Sequence, residues 1–317
     1  MADLQRLLLK TSRTFALSIP LLEEPPRQEV GVAYLLFRIA DTFEDGARWP
    51  RQARLVALAE FAELVRRSDA QRAESLARRW VSERPCDDES YLELLGEFPA
   101  VLAELARFVP ARREAIVKHV VRTAEGMARF VERSDEQGSL QLADVDDLRR
   151  YCYVVAGIVG ELLTELFVDA APQLARVLPQ LNEREAVFGE GLQLVNILKD
   201  SDSDAREGRT YLPRSVPRQE IFAVARGDLG VASEYVLELQ RAGAPRGIVE
   251  FTALPVLLAF ASLDELERNG PGSKIGRLKV AALMTQLRAD VNAGVPVLPS
   301  PTPRAGSAAL GRERTRT

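Results

Sequence analysis

Three oxygen-bearing side chains recur at four-residue spacing in the second half of the chain. Asn196, Asp200 and Asp204 follow an apolar run within the stretch Q-L-V-N-I-L-K-D-S-D-S-D-A-R-E-G-R-T-Y-L-P, residues 193–213. Steps of four residues return to nearly the same face of an α-helix. The three side chains therefore form one stripe, and hard oxygen ligands of this kind suit Mg2+. We predict that the stripe faces a divalent cation.

A second acidic group lies far upstream. The stretch A-Y-L-L-F-R-I-A-D-T-F-E-D, residues 33–45, also begins apolar and ends with Asp41, Glu44 and Asp45. A single such group is most simply a solvated helix end. Two groups, each on the apolar side of its helix and each followed by a glycine, indicate a shared site instead. Because Mg2+ usually bridges a few carboxylates to substrate phosphates, the pattern predicts an enzyme that holds a diphosphate between two acidic helices.

Basic and hydroxyl side chains accompany both acidic groups. Tyr34 and Arg38 lie one helical turn apart ahead of the first group, and arginine can bind phosphate oxygens bidentately. An ion pair with a neighbouring carboxylate is the alternative role for Arg38. Lys199 and Arg209 flank the second group, where each is either a diphosphate ligand or a surface charge. Gln193 continues the second stripe and is expected to project deeper into the cavity.

The segment Y-C-Y-V-V-A-G-I-V-G-E-L-L, residues 151–163, carries two glycines inside a predicted helix. Gly157 and Gly160 each destabilise a helix by up to about 1 kcal/mol relative to alanine. Close approach of a helix or a ligand is therefore expected there. Tyr151 and Tyr153 either place their hydroxyls in the cavity or pack at the edge of a tight helix contact.

Composition narrows the class of protein. The chain has 317 residues, is 46% apolar and carries a formal charge of -4, which favours a large core and argues against a nucleic-acid partner. The two cysteines, Cys86 and Cys152, form no disulfide framework or metal motif, as is typical of a reducing compartment. The single histidine, His119, is predicted to be an ordinary helix residue. We expect no signal peptide and, because no unbroken apolar run reaches about 18 residues, no transmembrane helix.

Apolar residues recur at three- and four-residue spacing almost throughout, which predicts an all-α fold. Helices are predicted over residues 2–18, 27–45, 50–67, 70–81, 88–107, 111–132, 144–168, 172–202, 228–243, 246–268 and 276–292. From Pro296 the chain is rich in proline, serine, threonine, glycine and arginine, a composition typical of disorder. We predict one all-helical domain over residues 1–295 and a disordered tail over residues 296–317.

Taken in order, four motifs resemble those of the squalene/phytoene synthase family, the head-to-head prenyl synthases. They are T-S-R-T-F from Thr11, the first acidic stretch, the glycine-bearing segment and the second acidic stretch. The resemblance runs from about Lys10 to Leu287. It implies an all-α isoprenoid-synthase bundle around a deep central cavity. It also implies that Mg2+ ions, held by the acidic stretches, bind the diphosphates of two prenyl substrates.

The resemblance carries expected roles onto individual residues. The expected metal ligands are Asp41, Glu44, Asp45, Asn196, Asp200 and Asp204. The expected substrate-binding residues are Ser12, Arg13, Tyr34, Arg38, Gln193, Asn196, Lys199, Arg209 and Tyr211. The expected catalytic residues are Tyr151, Asp41 and Asp200. Lys199 stands where many relatives carry arginine, so its charge is kept but bidentate binding is not.

Three further segments bear on the reaction. G-M-A-R-F from Gly126 and F-T-A-L-P from Phe251 resemble squalene-synthase segments. They imply that two farnesyl diphosphates condense through a cyclopropylcarbinyl diphosphate, which NADPH then reduces. K-I-G-R resembles the segment linked with NADPH and implies that Lys274 and Arg277 bind it, but Gly276 replaces an expected arginine. Dehydrosqualene or phytoene synthesis without reduction is the alternative, and a non-catalytic binding or assembly protein is the alternative from another class.

The resemblance also implies a location. The membrane anchor of eukaryotic relatives is not recognised in this sequence. We therefore expect a cytoplasmic enzyme of the bacterial type, with its oligomeric state left open. Because both substrate tail and product are oily, we further expect it to contact the inner face of the membrane peripherally.

Overall fold

The computed structural model describes residues 4–12, 14–135, 139–206 and 209–299. These ranges are helical almost throughout, which confirms the predicted all-α class. The α-helices are α1 (Leu4–Thr11), α2 (Phe15–Ser18), α3 (Pro26–Glu44), α4 (Arg51–Arg67), α5 (Ala70–Glu83), α6 (Glu89–Gly96), α7 (Phe98–Arg107), α8 (Pro110–Arg133), α9 (Val145–Cys152), α10 (Ile158–Ala170), α11 (Leu178–Asn182), α12 (Glu185–Arg206), α13 (Arg218–Arg241), α14 (Arg246–Asn269) and α15 (Arg277–Ala293).

Short irregular elements connect these helices at the positions that matter for the site. One π-helical turn, Tyr153–Gly157, joins α9 to α10, and turns of this kind are frequent at functional sites. Two 3-10 segments, Ile19–Leu21 and Pro172–Val177, follow α2 and α10. Two short strands, β1 (Leu140–Gln141) and β2 (Arg209–Thr210), pair in parallel, with Leu140 opposite Arg209.

Several predicted helix boundaries were wrong, and prolines account for most of the errors. The helix predicted over 88–107 is divided into α6 and α7, because Pro99 has no N–H to continue the ladder of α6. The helix predicted over 172–202 is divided into a 3-10 segment, α11 and α12, and Pro179 lies at the first of these two breaks. Helix α13 begins at Arg218, directly after Pro217, and not at the predicted residue 228.

The core consists of two adjoining clusters of buried apolar side chains. The larger contains an aromatic group in which the rings of Phe43 and Trp80 are 4.7 Å apart. The smaller surrounds Tyr151 and the central part of α12. Four half-buried side chains contact both clusters, namely Val154, Val155, Leu192 and Phe260. Apolar side chains that lie between two cores and stay partly exposed are expected to line an apolar recess.

The packed chain continues beyond the predicted domain boundary at residue 295. Val297 and Leu298 are buried, and the Val297 amide donates to Gln240 Oε1 at 3.2 Å. The remaining part of the predicted tail, residues 300–317, lies outside the described residues.

Two helical stretches, Val145–Ala170 and Arg246–Asn269, are long and apolar enough to cross a membrane. The sequence pattern did not indicate helices of this length and hydropathy, because glycine or proline interrupts each apolar run. More than half of each apolar window is buried inside the helical bundle. Both stretches therefore occupy the position of core helices.

Candidate functional site

Both predicted acidic groups lie in the last turns of their helices. Asp41 and Glu44 close α3, whose C-cap is Asp45, and Asp200 and Asp204 lie near the C-terminal end of α12. The C-terminal end of a helix carries partial negative charge, so carboxylates there are unfavourably placed. These helix ends therefore need positive charge close by.

The pKa values of three carboxyl groups at these helix ends are raised, chiefly by burial and in smaller part by neighbouring carboxylates. Burial raises the pKa of Asp41 to about 6, although Arg38 acts in the opposite direction and Asp45 adds to the increase. Burial also raises the pKa of Asp204 to about 6, with Arg209 opposing and Asp45 and Asp200 contributing. The pKa of Glu44 is raised well above its ordinary value, chiefly by burial. A bound cation would remove this penalty on the charged carboxylates.

Arg209 links the two acidic groups. Its Nε lies 3.4 Å from Asp45 Oδ1, and its Nη2 lies 3.5 Å from Asp204 Oδ1. The pairing of β2 with β1 places this arginine, whose side chain is only 12% exposed. The structure thus brings the end of α3 and the end of α12 together, and it excludes the alternative that Arg209 is a surface charge.

Replacing Arg209 by glutamine should destabilise the protein by about 1–3 kcal/mol near pH 7.5, because Asp45 and Asp204 would repel without it. The loss should be smaller near pH 5, where Asp204, with a pKa of about 6, is mostly protonated. Urea unfolding at both pH values measures the effect. The exposed Arg214 supplies the control, since Arg214→Gln should change stability by less than about 0.5 kcal/mol. An equal loss at both pH values would contradict the electrostatic explanation.

A buried pair of tyrosines lies beside the first acidic group. The rings of Tyr151 and Tyr211 stack with centroids 4.7 Å apart, and Phe130 packs edge-on against Tyr151. The Tyr211 hydroxyl donates to Asp45 Oδ1 at 3.4 Å, and Tyr151 lies close enough to Glu44 to oppose the rise in the pKa of that carboxyl. Burial raises the pKa of both phenols well above the ordinary value. Both tyrosines are therefore neutral proton donors next to carboxylates.

On α12 the side chain of Lys199 contacts the predicted stripe of oxygen-bearing residues. Lys199 Nζ donates to Asn196 Oδ1 at 3.1 Å and lies 3.2 Å from Asp200 Oδ2. Gln193 is half-buried on the same helix. The Lys199 carbonyl accepts a hydrogen bond of 3.0 Å from the amide of Gly272. The segment with the exposed Lys274 and Arg277 therefore starts beside the second acidic group.

The opening motif and the preceding turn of α3 form a third part of the site. Tyr34 donates to the Thr11 carbonyl at 2.9 Å and accepts from Arg38 Nη2 at 3.3 Å. Arg38 Nη1 also lies 3.3 Å from Asp41 Oδ2, so the alternative role of Arg38 as an ion-pair partner is realised in the structure. Ser12 Oγ accepts a hydrogen bond of 2.9 Å from the Phe15 amide at the start of α2. Arg13 lies outside the described residues.

Glycines allow α12 to approach the segment that carries Tyr151. A β-carbon on Gly160 would lie 1.9 Å from the Glu185 carbonyl oxygen, and one on Gly189 would lie 2.0 Å from that of Ala156. No side chain fits at either position, which confirms the expected close approach of a helix. The contact fixes α12, and with it the second acidic stripe, against the π-helical turn.

The remaining polar residues singled out in the sequence lie in a separate network. Tyr153 donates to Glu161 at 2.8 Å and accepts from Arg122 at 2.8 Å, so it packs at the edge of the helix contact. His119 is buried in α8, and its Nε2 lies 2.9 Å from Glu165. Burial lowers the pKa of this histidine, which favours its neutral form.

Sequence reasoning missed Arg54, a buried residue of α4. Its charge acts on Glu44, and burial lowers its own pKa. It lines a small pocket with Glu44, Phe130, Arg209 and Tyr211. A signal was present, because Arg54 shares one helix face with the buried apolar residues Ala57, Leu58 and Phe61. An arginine on a core-facing stripe needs a buried anion.

The donor set fits Mg2+ bound together with a phosphorylated ligand. Within the described ranges, no three carboxylate, histidine or cysteine side chains already surround a single point as metal ligands. Mg2+ typically takes one or two carboxylates and fills its other positions with water and substrate phosphates. Carboxylates from two converging helix ends, with raised pKa values, supply such partial ligation.

Residues 8–229 match the profile of a family described as squalene/phytoene synthase. The squalene synthase of Eremothecium gossypii is 31% identical over 222 residues, which cover 68% of this chain and 47% of that protein. That of Gibberella zeae is 29% identical over 285 residues, covering 83% and 58%. The squalene synthase of Schizosaccharomyces pombe is 27% identical over 287 residues, covering 83% and 59%. The chain thus spans about half to three-fifths of the length of these relatives.

Solved structures share the fold. The structure of TcSQS with the ligand E5700 aligns with a TM-score of 0.75 at 24% identity, over 92% of this chain and 87% of that one. A dehydrosqualene synthase in complex with a ligand aligns with a TM-score of 0.58 at 18% identity, over 92% and 96%. With the family match over most of its length and the shared helical fold, the chain belongs to the squalene/phytoene synthase family.

Proposed function

We propose that the protein condenses two farnesyl diphosphates head to head, with Mg2+, to a cyclopropylcarbinyl diphosphate and then to squalene. The observation that carries this proposal is the convergence of two acidic helix ends on Arg209, beside the buried pair of Tyr151 and Tyr211. The named squalene synthases among the relatives support the substrate class. Arg38, Lys199 and Ser12 would bind diphosphate oxygens at the edges of this site.

The residues of the chain have separate tasks in the reaction. The allylic C–O bond of one substrate breaks and the diphosphate leaves with the electron pair, after which the double bond of the other substrate attacks the cation. Bound Mg2+ would neutralise the charge that develops on the diphosphate. The Glu44 carboxylate, which lies beside Tyr151 and whose pKa burial raises, is the proposed acceptor of the proton lost on ring closure. The half-buried apolar side chains between the two cores would keep water from the cation.

Aromatic faces attract cations, so phenylalanines on the wall of the site bear on the reaction. Phe260 contacts both core clusters and is half-buried, which supports such a position. Phe167 is fully buried with its ring 5.8 Å from that of Phe251, so it is part of the core. Phe37 is also buried.

Binding of inorganic pyrophosphate with Mg2+ should weaken as the pH falls through about 6, because Asp41 and Asp204 have pKa values near 6 and lose their charge there. The stability of the protein without ligand depends on pH in the opposite direction. Folded-state pKa values above the ordinary 3.8 mean that the folded state binds protons more tightly, so stability falls between about pH 4 and pH 6 as the pH rises. Calorimetric titration and urea unfolding at several pH values measure the two effects. The variant with Asp41→Asn and Asp204→Asn should keep only the pH dependence of pyrophosphate itself, and an unchanged profile would contradict this explanation.

The reductive step is tested by product analysis. Incubation with farnesyl diphosphate, Mg2+ and NADPH should yield squalene, and omission of NADPH should stop the reaction before reduction. Lys274 and Arg277 are the proposed NADPH contacts, supported by the exposure of both and by the link from Gly272 to Lys199. An unreduced product that is the same with and without NADPH would overturn squalene synthesis and favour the dehydrosqualene alternative, which Gly276 supports. Geranylgeranyl diphosphate in parallel tests phytoene synthesis.

A non-catalytic role is the competing proposal from another class. Such a protein has no need of carboxylates in unfavourable positions at two helix ends, yet all five are present. Product formation from any prenyl diphosphate would exclude this role.

We also propose a cytoplasmic enzyme that contacts the membrane surface through the start of α15. Leu278 is 89% exposed, and residues 271–289 carry Lys274, Arg277, Lys279 and Arg288 without an acidic residue. Cys86 and Cys152 are both free thiols, which suits a reducing compartment. Leu278→Glu should weaken co-sedimentation with phosphatidylglycerol vesicles, whereas Val109→Glu, at a position 63% exposed, should not. Equal effects of the two changes would argue against α15 as the contact.

A further inference from the structure

The guanidinium of Arg38 lies over two aromatic rings, and its hydrogen-bonding groups are incompletely satisfied. Its two hydrogen-bonding contacts, to the Tyr34 hydroxyl and to Asp41, are both 3.3 Å long, beyond the usual range for N–H···O bonds. Its Nε is buried and has no hydrogen-bond partner in the described part of the chain. Its Cζ lies 5.7 Å from the ring centroid of Tyr34 and also 5.7 Å from that of Tyr91.

This arrangement prepares Arg38 to bind an anion. A buried donor without a partner is unfavourable by more than an ordinary hydrogen bond contributes, so a ligand oxygen is expected opposite it. Aromatic rings attract a guanidinium through its face and leave the in-plane N–H groups available. A diphosphate has oxygens to accept from two such groups at once.

The second ring comes from an element outside all four sequence motifs. Tyr91 lies on α6, and Glu93 on the same helix binds Arg6 and Lys10 of α1. Helix α6 is therefore fixed to the helix that leads into the opening motif. Tyr91 is half-buried, and its charge environment includes Arg38 and Asp41. Its hydroxyl has no hydrogen bond within the described residues, so its contact with Arg38 is through the ring.

We propose that Tyr91 is a positioning residue, whose ring holds the Arg38 guanidinium toward the diphosphate of one prenyl substrate. This inference rests on the proposed function. A free arginine side chain samples many rotamers, and fixing one of them before binding removes that entropy from the binding step. The ring is required for this role and the hydroxyl is not.

The test compares Tyr91→Leu, which removes the ring, with Tyr91→Phe, which keeps it. The Leu variant should raise both the KM for farnesyl diphosphate and the Ki of inorganic pyrophosphate about three- to tenfold. Its kcat should change less, because Arg38 itself remains. The Phe variant should stay within about twofold of the parent protein for both constants. Equal weakening in the two variants, or no weakening in the Leu variant, would overturn the inference.

Phe108→Leu is the matched control for loss of a half-buried ring. Phe108 lies at the junction of α7 and α8, two residues before Pro110. Arg112, at the same end of α8, pairs with Glu29 near the start of α3, whereas Asp41 lies near the end of α3. The Phe108→Leu variant should leave the pyrophosphate Ki unchanged. Thermal unfolding of both Leu variants shows whether a change in Ki comes from lost binding or from lost stability. If the parent protein neither binds pyrophosphate with Mg2+ nor converts any prenyl diphosphate, the proposed function fails. If it does both and the Leu variant at Tyr91 matches it, only the role of Tyr91 fails.

Discussion

Asp200→Ala should lower turnover of farnesyl diphosphate by at least about 10²–10³-fold while the protein stays helical. Asp200 is nearly half exposed at the acidic end of α12, where it pairs with Lys199 at 3.2 Å. Loss of one group that stabilises developing charge typically has an effect of this size. Asp41→Ala should have an equal effect from the other helix end. Product formation over time, with circular dichroism of each variant, provides the measurement.

The same helix supplies the control for this prediction. Asp202 lies between Asp200 and Asp204 but is exposed, because a step of two residues turns it away from the stripe. Asp202→Ala removes the same charge from the same turn and should leave turnover within about twofold. Unchanged activity after Asp41→Ala or Asp200→Ala would remove that residue from the proposed metal site.

Gly160→Ala should destabilise the protein by about 3 kcal/mol or more, the largest stability effect we expect from one added methyl group. The new β-carbon would lie 1.9 Å from the Glu185 carbonyl oxygen, and a backbone atom cannot move away as a flexible side chain can. Helices α10 and α12 would have to separate, which would also displace the second acidic stripe. Urea unfolding measures the loss, and activity should fall in the fraction that remains folded.

Gly227 gives a control of opposite sign. It lies inside α13, and a β-carbon there would meet nothing within 4 Å. Gly227→Ala should therefore stabilise the protein by about 0.5–1 kcal/mol through helix propensity. Destabilisation of similar size by both substitutions would show that the contact with Glu185 is not the cause.

Local sequence patterns were sufficient to predict the fold class and the residues at each of the two acidic helix ends. Helical periodicity predicted an all-α chain because most of these helices bury one face, and spacing alone placed Asp200 and Asp204 on one stripe. Gly157 and Gly160 predicted a close helix contact because a glycine inside a helix is unfavourable without one. These inferences depend on geometry within one or two helical turns, which a short segment determines by itself.

Only the tertiary structure decided how the halves meet. Arg209 reaches both Asp45 and Asp204 because β2 pairs with β1, and Tyr91 contacts Arg38 because α6 packs against α3. Arg54 acts on Glu44 because both line one small pocket, where Arg54 also donates to Ser134 at the end of α8. Such contacts join residues far apart in the chain, and the raised pKa values of Asp41 and Asp204 arise from burial that the whole packing creates. Burial cannot be read from the type of a residue or from its separation along the sequence. These contacts and pKa shifts therefore follow only from the folded structure.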